Sequence, residues 1–199
     1  MIRADVGLTG GIGCGKSEVA RILLRDGIAV LDTDEVAHQL MTPGERTYDD
    51  VVEAFGKGVL ASNGTIDRKI LGSRVFQDPL ERELLNRLVH PAVRERWQSW
   101  LGTRRAENEC AVVVIPLLFE TGATREWTAI VCVSARESLA RERLKQRGLS
   151  REQIDRRIAA QMPLDEKVAC ADHVIENNGT LEELEHRVRA MWATIVDKE

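Results

Sequence analysis

Apolar residues fall along this chain in two rhythms. Short, nearly continuous apolar runs bounded by turn residues occur at 6–8, 28–31, 110–115 and 127–133, and a fifth short strand is expected at 171–175. Such runs, apolar without strict alternation, predict strands buried on both faces, as in a parallel sheet. Between them apolar positions recur three and four residues apart, the helical spacing. Helices are predicted over 18–25 (Val19, Ile22 and Leu23 on one face), 35–41, 48–55, 68–76, 136–147, 150–161 and 181–195. Asp67 is placed to cap the helix at 68. Two further helices are expected at 79–90 and 92–101, separated because Pro91 follows His90. Thr42-Pro-Gly44, Gly56-Lys-Gly58, Ser62-Asn-Gly64 and Gly148 punctuate the pattern. Strands alternating with helices predict an α/β fold. The stretch from 45 to 105 offers no core strand, so it reads as a helical insertion between the second and third strands.

The most chemically specific stretch lies between the first strand and the first helix. From Gly10 it reads G-x-x-x-x-G-K-S, ending at Lys16-Ser17. Gly10, Gly11, Gly13 and Gly15 permit a tight turn whose N–H groups face outward, and the following helix end is positive. Strand, glycine loop and helix together form a phosphate-binding loop. Lys16 would reach the β- and γ-phosphates of a nucleotide, and the Ser17 hydroxyl would bind Mg²⁺. Ligands of open α/β sheets sit at the carboxyl ends of the strands. Asp32 and Asp34 follow the second strand, and Pro116-Leu-Leu-Phe-Glu120 follows the third, so both segments are expected near the loop. Asp34 would either cap the next helix or act chemically. Glu120 would either face solvent or face the site.

The helix pair around Gly148 is dense in arginine. Arg143 and Arg147 lie four apart on one helix face. It reads either as a solvated hairpin or as a lid closing arginines on a triphosphate. Composition narrows the class. With 199 residues and 43% hydrophobic content, the chain suits one α/β domain with insertions. A net charge of -4 argues against a general nucleic-acid binder. No run approaches a membrane helix, and the start lacks a signal-peptide core. The four cysteines are scattered, which predicts reduced thiols in a cytoplasmic protein. Cys14, beside a helix N-terminus, is expected to have a lowered pKa and to react with mild oxidants. A GTPase switch would need an Asn-Lys-x-Asp guanine reader and an Asp-x-x-Gly switch, and neither occurs. Another small-molecule kinase remains the alternative on motif grounds.

The ordered set Gly7-Leu-Thr-Gly-Gly-Ile-Gly-Cys-Gly-Lys-Ser17, Asp32-Thr-Asp34, Val75-Phe76, His90-Pro91, Pro116-Leu-Leu-Phe-Glu120, Arg143-Leu144, Gln161, Ala171-Asp172, Val174-Ile175 and Asn177-x-Gly179 resembles the dephospho-CoA kinase family. The resemblance covers nearly the whole chain. It implies a three-layer P-loop kinase fold: a five-stranded parallel sheet, a helical acceptor-binding insertion (35–105) and a helical lid (136–170) on a core of 1–34, 106–135 and 171–199. It implies ATP-dependent phosphorylation of the ribose 3′-hydroxyl of dephospho-CoA, with Mg²⁺. ATP contacts would come from Gly11, Ile12, Gly13, Cys14, Gly15, Lys16, Ser17 and Glu18, joined by Arg143 and Arg147 of the lid. Asn177 and Gly179 would lie near the adenine. Thr9, Asp34, His90, Leu117, Leu118 and Glu120 would serve the acceptor, Asp34 as the base beside its hydroxyl. Cys14 stands where the family usually has Ser. Ile115 stands where many members have an acid, which shifts the metal-orienting duty towards Asp32 or Asp34; Ser17 and Asp32 would hold the metal. Catalysis would rest on Asp34, Lys16 and Arg143. No nucleic acid, no membrane and a monomer or weak homo-oligomer are expected.

Overall fold

The computed structural model describes residues 3–197. Its contacts divide the chain into two compact units, one running through Asp32 and resuming at Leu101, the other Thr33–Trp100. Residues 136–170 fall with the sheet in the first.

The first unit is a five-stranded sheet in the order β2-β3-β1-β4-β5. The strands are β1 Asp5–Gly10, β2 Ala29–Asp32, β3 Ala111–Val114, β4 Ala129–Ser134 and β5 His173–Glu176. Every pairing is parallel. Parallel neighbours need crossovers, and those put helices on both faces. That is why the central strands β1 and β3 are buried at every position, whereas β2, at the edge, is half-buried throughout. Helices α1 (Lys16–Arg25) and α9 (Leu181–Val196) pack on the sheet through Val19, Ile22, Leu23, Leu184, Val188 and Ile195. Each such buried side chain contributes about 1.5–3 kcal/mol. Asp5 opens β1 in the interior, and Arg3 and Arg105 neutralise it at 2.6 and 2.7 Å.

The second unit holds α2 (Thr33–Leu40), α3 (Arg46–Phe55), a 3-10 turn at Lys57–Val59, α4 (Arg68–Gln77) and most of α5 (Pro79–Ala106). Its own core gathers Val51, Phe55, Val59, Ile66, Leu71 and Val89. Asp67 caps α4, accepting from the Lys69 and Ile70 amides at 2.8 and 3.1 Å.

Two expectations change. The helices read at 79–90 and 92–101 are one, with Pro91 inside it. Proline removes one ladder bond at a cost of about 3 kcal/mol, and burial of Val89, Trp97 and Leu101 along the same helix offsets it. An unforeseen helix, α8 (Leu164–Cys170), follows α6 (Glu137–Gln146) and α7 (Arg151–Ala159). Among the described residues no helix is long and apolar enough to cross a membrane.

Candidate active site

β1 ends at Gly10 and α1 begins at Lys16, so the glycine loop leaves the carboxyl edge of the sheet beside its central strand. The loop is tight: the Cys14 amide donates to the Gly11 carbonyl at 3.3 Å. Gly15 carries a φ of +98° at the N-cap of α1. A Cβ there would stand 2.2 Å from Asn177 Nδ2, and one on Gly13 would stand 2.7 Å from the Ala140 carbonyl. Both positions therefore need glycine, for conformation and for space. The first amides of α1 have no preceding carbonyls within the helix, so they present donors and the positive helix end to an anion. Lys16 Nζ donates to the Gly10 and Gly11 carbonyls at 2.9 and 3.0 Å, its ammonium folded over the loop.

Two residues from distant parts of the chain wall the loop. Asn177, buried at the end of β5, donates through Nδ2 to the Cys14 carbonyl at 2.9 Å. Arg143 on α6 donates through Nη2 to the carbonyl and Oδ1 of the same asparagine at 3.1 and 3.2 Å. Its Nη1 is buried with no partner, and lies 3.9 Å from where a Gly15 Cβ would be. A buried guanidinium nitrogen without an acceptor is costly, and a phosphate oxygen in the loop would satisfy it. The loop amides, Lys16 and this nitrogen fit a polyphosphate. For a divalent cation, Ser17 in the first turn of α1 and Asp32 at the end of β2 are oxygen donors of the kind Mg²⁺ takes in small number, keeping its waters.

Other expected site residues have interior partners. Thr9 is fully buried, its hydroxyl donating to the Pro116 carbonyl at 3.4 Å. Leu118 is fully buried against Gly7. Both side chains pack inside the central strand and the turn after β3. Glu120 is taken up too: its Oε1 pairs with Lys167 Nζ at 2.8 Å and accepts from the Met162 amide at 2.9 Å. Burial raises the Glu120 pKa, but Lys167 and that amide outweigh it and hold the carboxyl below the ordinary glutamate range. Leu117 is half-buried. Arg147 is exposed at the C-cap of α6, one turn beyond Arg143, to whose carbonyl its amide donates at 3.3 Å. Gly179 lies in the turn before α9, where a Cβ would collide with Glu183, the residue completing the capping box of that helix.

Cys14 reverses its expectation. The side chain is 1% exposed, and burial raises the thiol pKa, an effect that Lys16 only partly opposes. Cys132 is pushed up to about 11, chiefly by burial. The helix N-terminus acts on the Cys14 backbone, while its sulfur points into the core.

Asp34 and His90 belong to the second unit. Asp34 sits in the first turn of α2, which begins one residue earlier at Thr33, so it is inside the helix and not at its cap. His90 is half-buried in α5, and burial lowers its pKa.

Sequence reasoning gave no role to Gln161, whose Oε1 accepts from the Ile12 amide at 3.2 Å, and none at all to Lys167, which is fully buried. Pro163, followed by Asp165 and Glu166 and then Lys167, carries the signals of a helix start and was the available clue.

A sequence model of the dephospho-CoA kinase family matches residues 4–183. A dephospho-CoA kinase of Geobacter sulfurreducens is 44% identical over 190 residues, 94% of this chain and 96% of that protein. A crystal structure of a Thermus thermophilus protein superimposes with a TM-score of 0.81 and 36% identity, covering 98% of both chains. The dephospho-CoA kinase structure from Campylobacter jejuni gives 0.72 and 27%, covering 97% of both.

Proposed function

The chain belongs to the dephospho-CoA kinase family, and from that membership we infer that it phosphorylates the ribose 3′-hydroxyl of dephospho-CoA with ATP, giving CoA and ADP, the last step of coenzyme A biosynthesis. The observation that carries this reading is the extent of the match. It runs through the helical unit as well as the loop, and kinases that share a phosphate loop differ in what binds the acceptor.

In this reading the amides of Gly13 to Ser17 hold the β- and γ-phosphates, with Gly11, Ile12 and Glu18 framing them. Lys16 exchanges its two loop carbonyls for phosphate oxygens. Arg143 Nη1 gains the acceptor it lacks in the free protein. Ser17 and Asp32 would hold Mg²⁺, which when bound neutralises charge between the β- and γ-phosphates. Asp34 lies beside the acceptor hydroxyl and takes its proton. The hydroxyl oxygen forms the new bond to the γ-phosphorus as the bond from that phosphorus to the ADP oxygen breaks. The transition state is loose, so positioning and charge carry most of the rate. His90 and Leu117 serve the acceptor, and Asn177 and Gly179 border the nucleotide. Arg143 need not arrive by closure of a lid, since Asn177 already anchors it over the loop. The reading includes a cytoplasmic location and a monomer or weak homo-oligomer.

The test is ATP turnover with dephospho-CoA against a panel of nucleosides and small hydroxy compounds. ADP release that depends on dephospho-CoA, with CoA as product, is the expected result. Faster turnover of a panel member would replace the substrate while keeping the kinase.

A further inference from the structure

Among the described residues Lys167 is the largest fully buried side chain, and the reaction as derived gives it no task. Burying an ammonium costs several kcal/mol unless it is paired and hydrogen-bonded. Lys167 has both: Glu120 at 2.8 Å and the Pro116 carbonyl at 2.9 Å. Each partner leads to the phosphate loop by a separate route. Pro116 also accepts from the Thr9 hydroxyl on β1, one residue before Gly10. Glu120 also accepts from the Met162 amide, and the adjacent residue, Gln161, accepts from the Ile12 amide inside the loop. Between these routes Leu164 at the start of α8 reaches the loop, lying 3.5 Å from where a Gly11 Cβ would stand.

The connections close a ring: loop, Gln161, Met162, Glu120, Lys167, Pro116, Thr9, β1 and loop again. Lys167, from α8, holds two residues of the turn after β3 at once, Glu120 and Pro116, and so closes the ring between the two routes. A flexible glycine loop loses conformational entropy when it closes on phosphate. A ring that fixes an amide of the loop before nucleotide arrives reduces that cost.

We propose that Lys167 is a positioning residue for nucleotide, acting through Glu120 and Gln161 to hold the phosphate loop in its binding conformation. It touches neither ATP nor acceptor. The proposal rests on the nucleotide reading above, and part of its test does not depend on which acceptor is used.

The experiment compares Lys167→Met, Lys167→Arg, Glu120→Gln, Gln161→Ala and the Lys167→Met/Gln161→Ala pair. It measures affinity for MgATP by titration, steady-state constants for both substrates, and amide hydrogen exchange of the loop. Lys167→Met and Gln161→Ala are each expected to weaken MgATP binding by about 10- to 100-fold, the scale on which misplacement of a bound group acts. KM for dephospho-CoA should stay within about twofold, a change smaller than any positioning effect of that scale. Exchange at Ile12 should quicken in both. The double variant should be no worse than the worse single, because residues acting in one line do not add. Lys167→Arg should recover most of the affinity, since it keeps the charge. Additive losses, or a lower Tm with unchanged MgATP affinity and unchanged exchange at Ile12, would overturn the proposal. If Lys167→Met does not fold, Glu120→Gln and Gln161→Ala decide the same question through softer changes. If wild type binds MgATP but ignores dephospho-CoA, the substrate reading fails while the exchange and affinity results still judge the ring.

Discussion

The chemistry proposed for Asp34 needs a carboxylate rather than a polar group of the same size. Asp34→Asn keeps volume in the first turn of α2 and removes the proton acceptor. We expect kcat to fall by at least ~100-fold, the scale of general-base catalysis, with MgATP affinity within a few-fold of normal. Near wild-type turnover would make Asp34 a helix-start residue and move the search for the base to Asp32. The cysteines behave by burial rather than by neighbourhood. Cys170 is exposed, whereas Cys14 and Cys132 are buried with raised pKa values. A thiolate is the reactive form, so near pH 8 iodoacetamide should modify Cys170 first and leave Cys14 and Cys132 intact in the folded protein. Cys14→Ser should keep activity within about twofold, since a side chain outside the chemistry changes little. Rapid loss of activity on Cys14 alkylation would show that the core around it opens.

At the scale of elements, the glycine loop is shaped by what surrounds it as much as by its own sequence. Gly15 is pinned by Asn177, the residue after β5, which itself holds the Cys14 carbonyl and orients Arg143 of α6. Gly15→Ala would drive a methyl to 2.2 Å from Asn177 Nδ2 on backbone with φ of +98°. Strain of that kind costs about 1–3 kcal/mol, less than the stability of a typical domain at about 5–15 kcal/mol. The variant should therefore fold, as circular dichroism would report. It should lose turnover by at least ~100-fold because both loop and arginine are displaced. Turnover near wild type would mean that Asn177 moves aside freely and does not set the site. The same scale explains α5, where a proline rule that holds for isolated helices yields to burial along the helix.

For the whole molecule, the Glu120–Lys167 pair makes stability depend on acid. The folded pKa of Glu120 lies below its unfolded value. Such a group adds stability above the unfolded pKa, and the contribution disappears as pH falls through the folded one. Melting curves from pH 7 downward should show wild type losing Tm more steeply below the ordinary glutamate range than Glu120→Gln, which carries no titrating group there. Parallel curves for the two proteins would mean that Glu120 has no such role.

How much was legible in the sequence follows from the range of the interactions involved. The five strands, the glycine loop, the Asp67 cap and the final amphipathic helix depend on neighbours within one turn or one strand, so their signals are local and readable. The parallel sheet followed from continuous apolar runs, and the family from motifs spread along the chain. The tertiary structure alone decided what long-range burial controls. It turned Cys14 inward against a local field that favours the thiolate. It buried Thr9 and Leu118, and it paired Glu120 with the buried Lys167. It carried α5 through Pro91, and it brought Gln161 and Lys167, some 150 residues downstream of the loop, into one ring with it. No short-range pattern encodes that last arrangement, because its members meet only when the sheet has assembled.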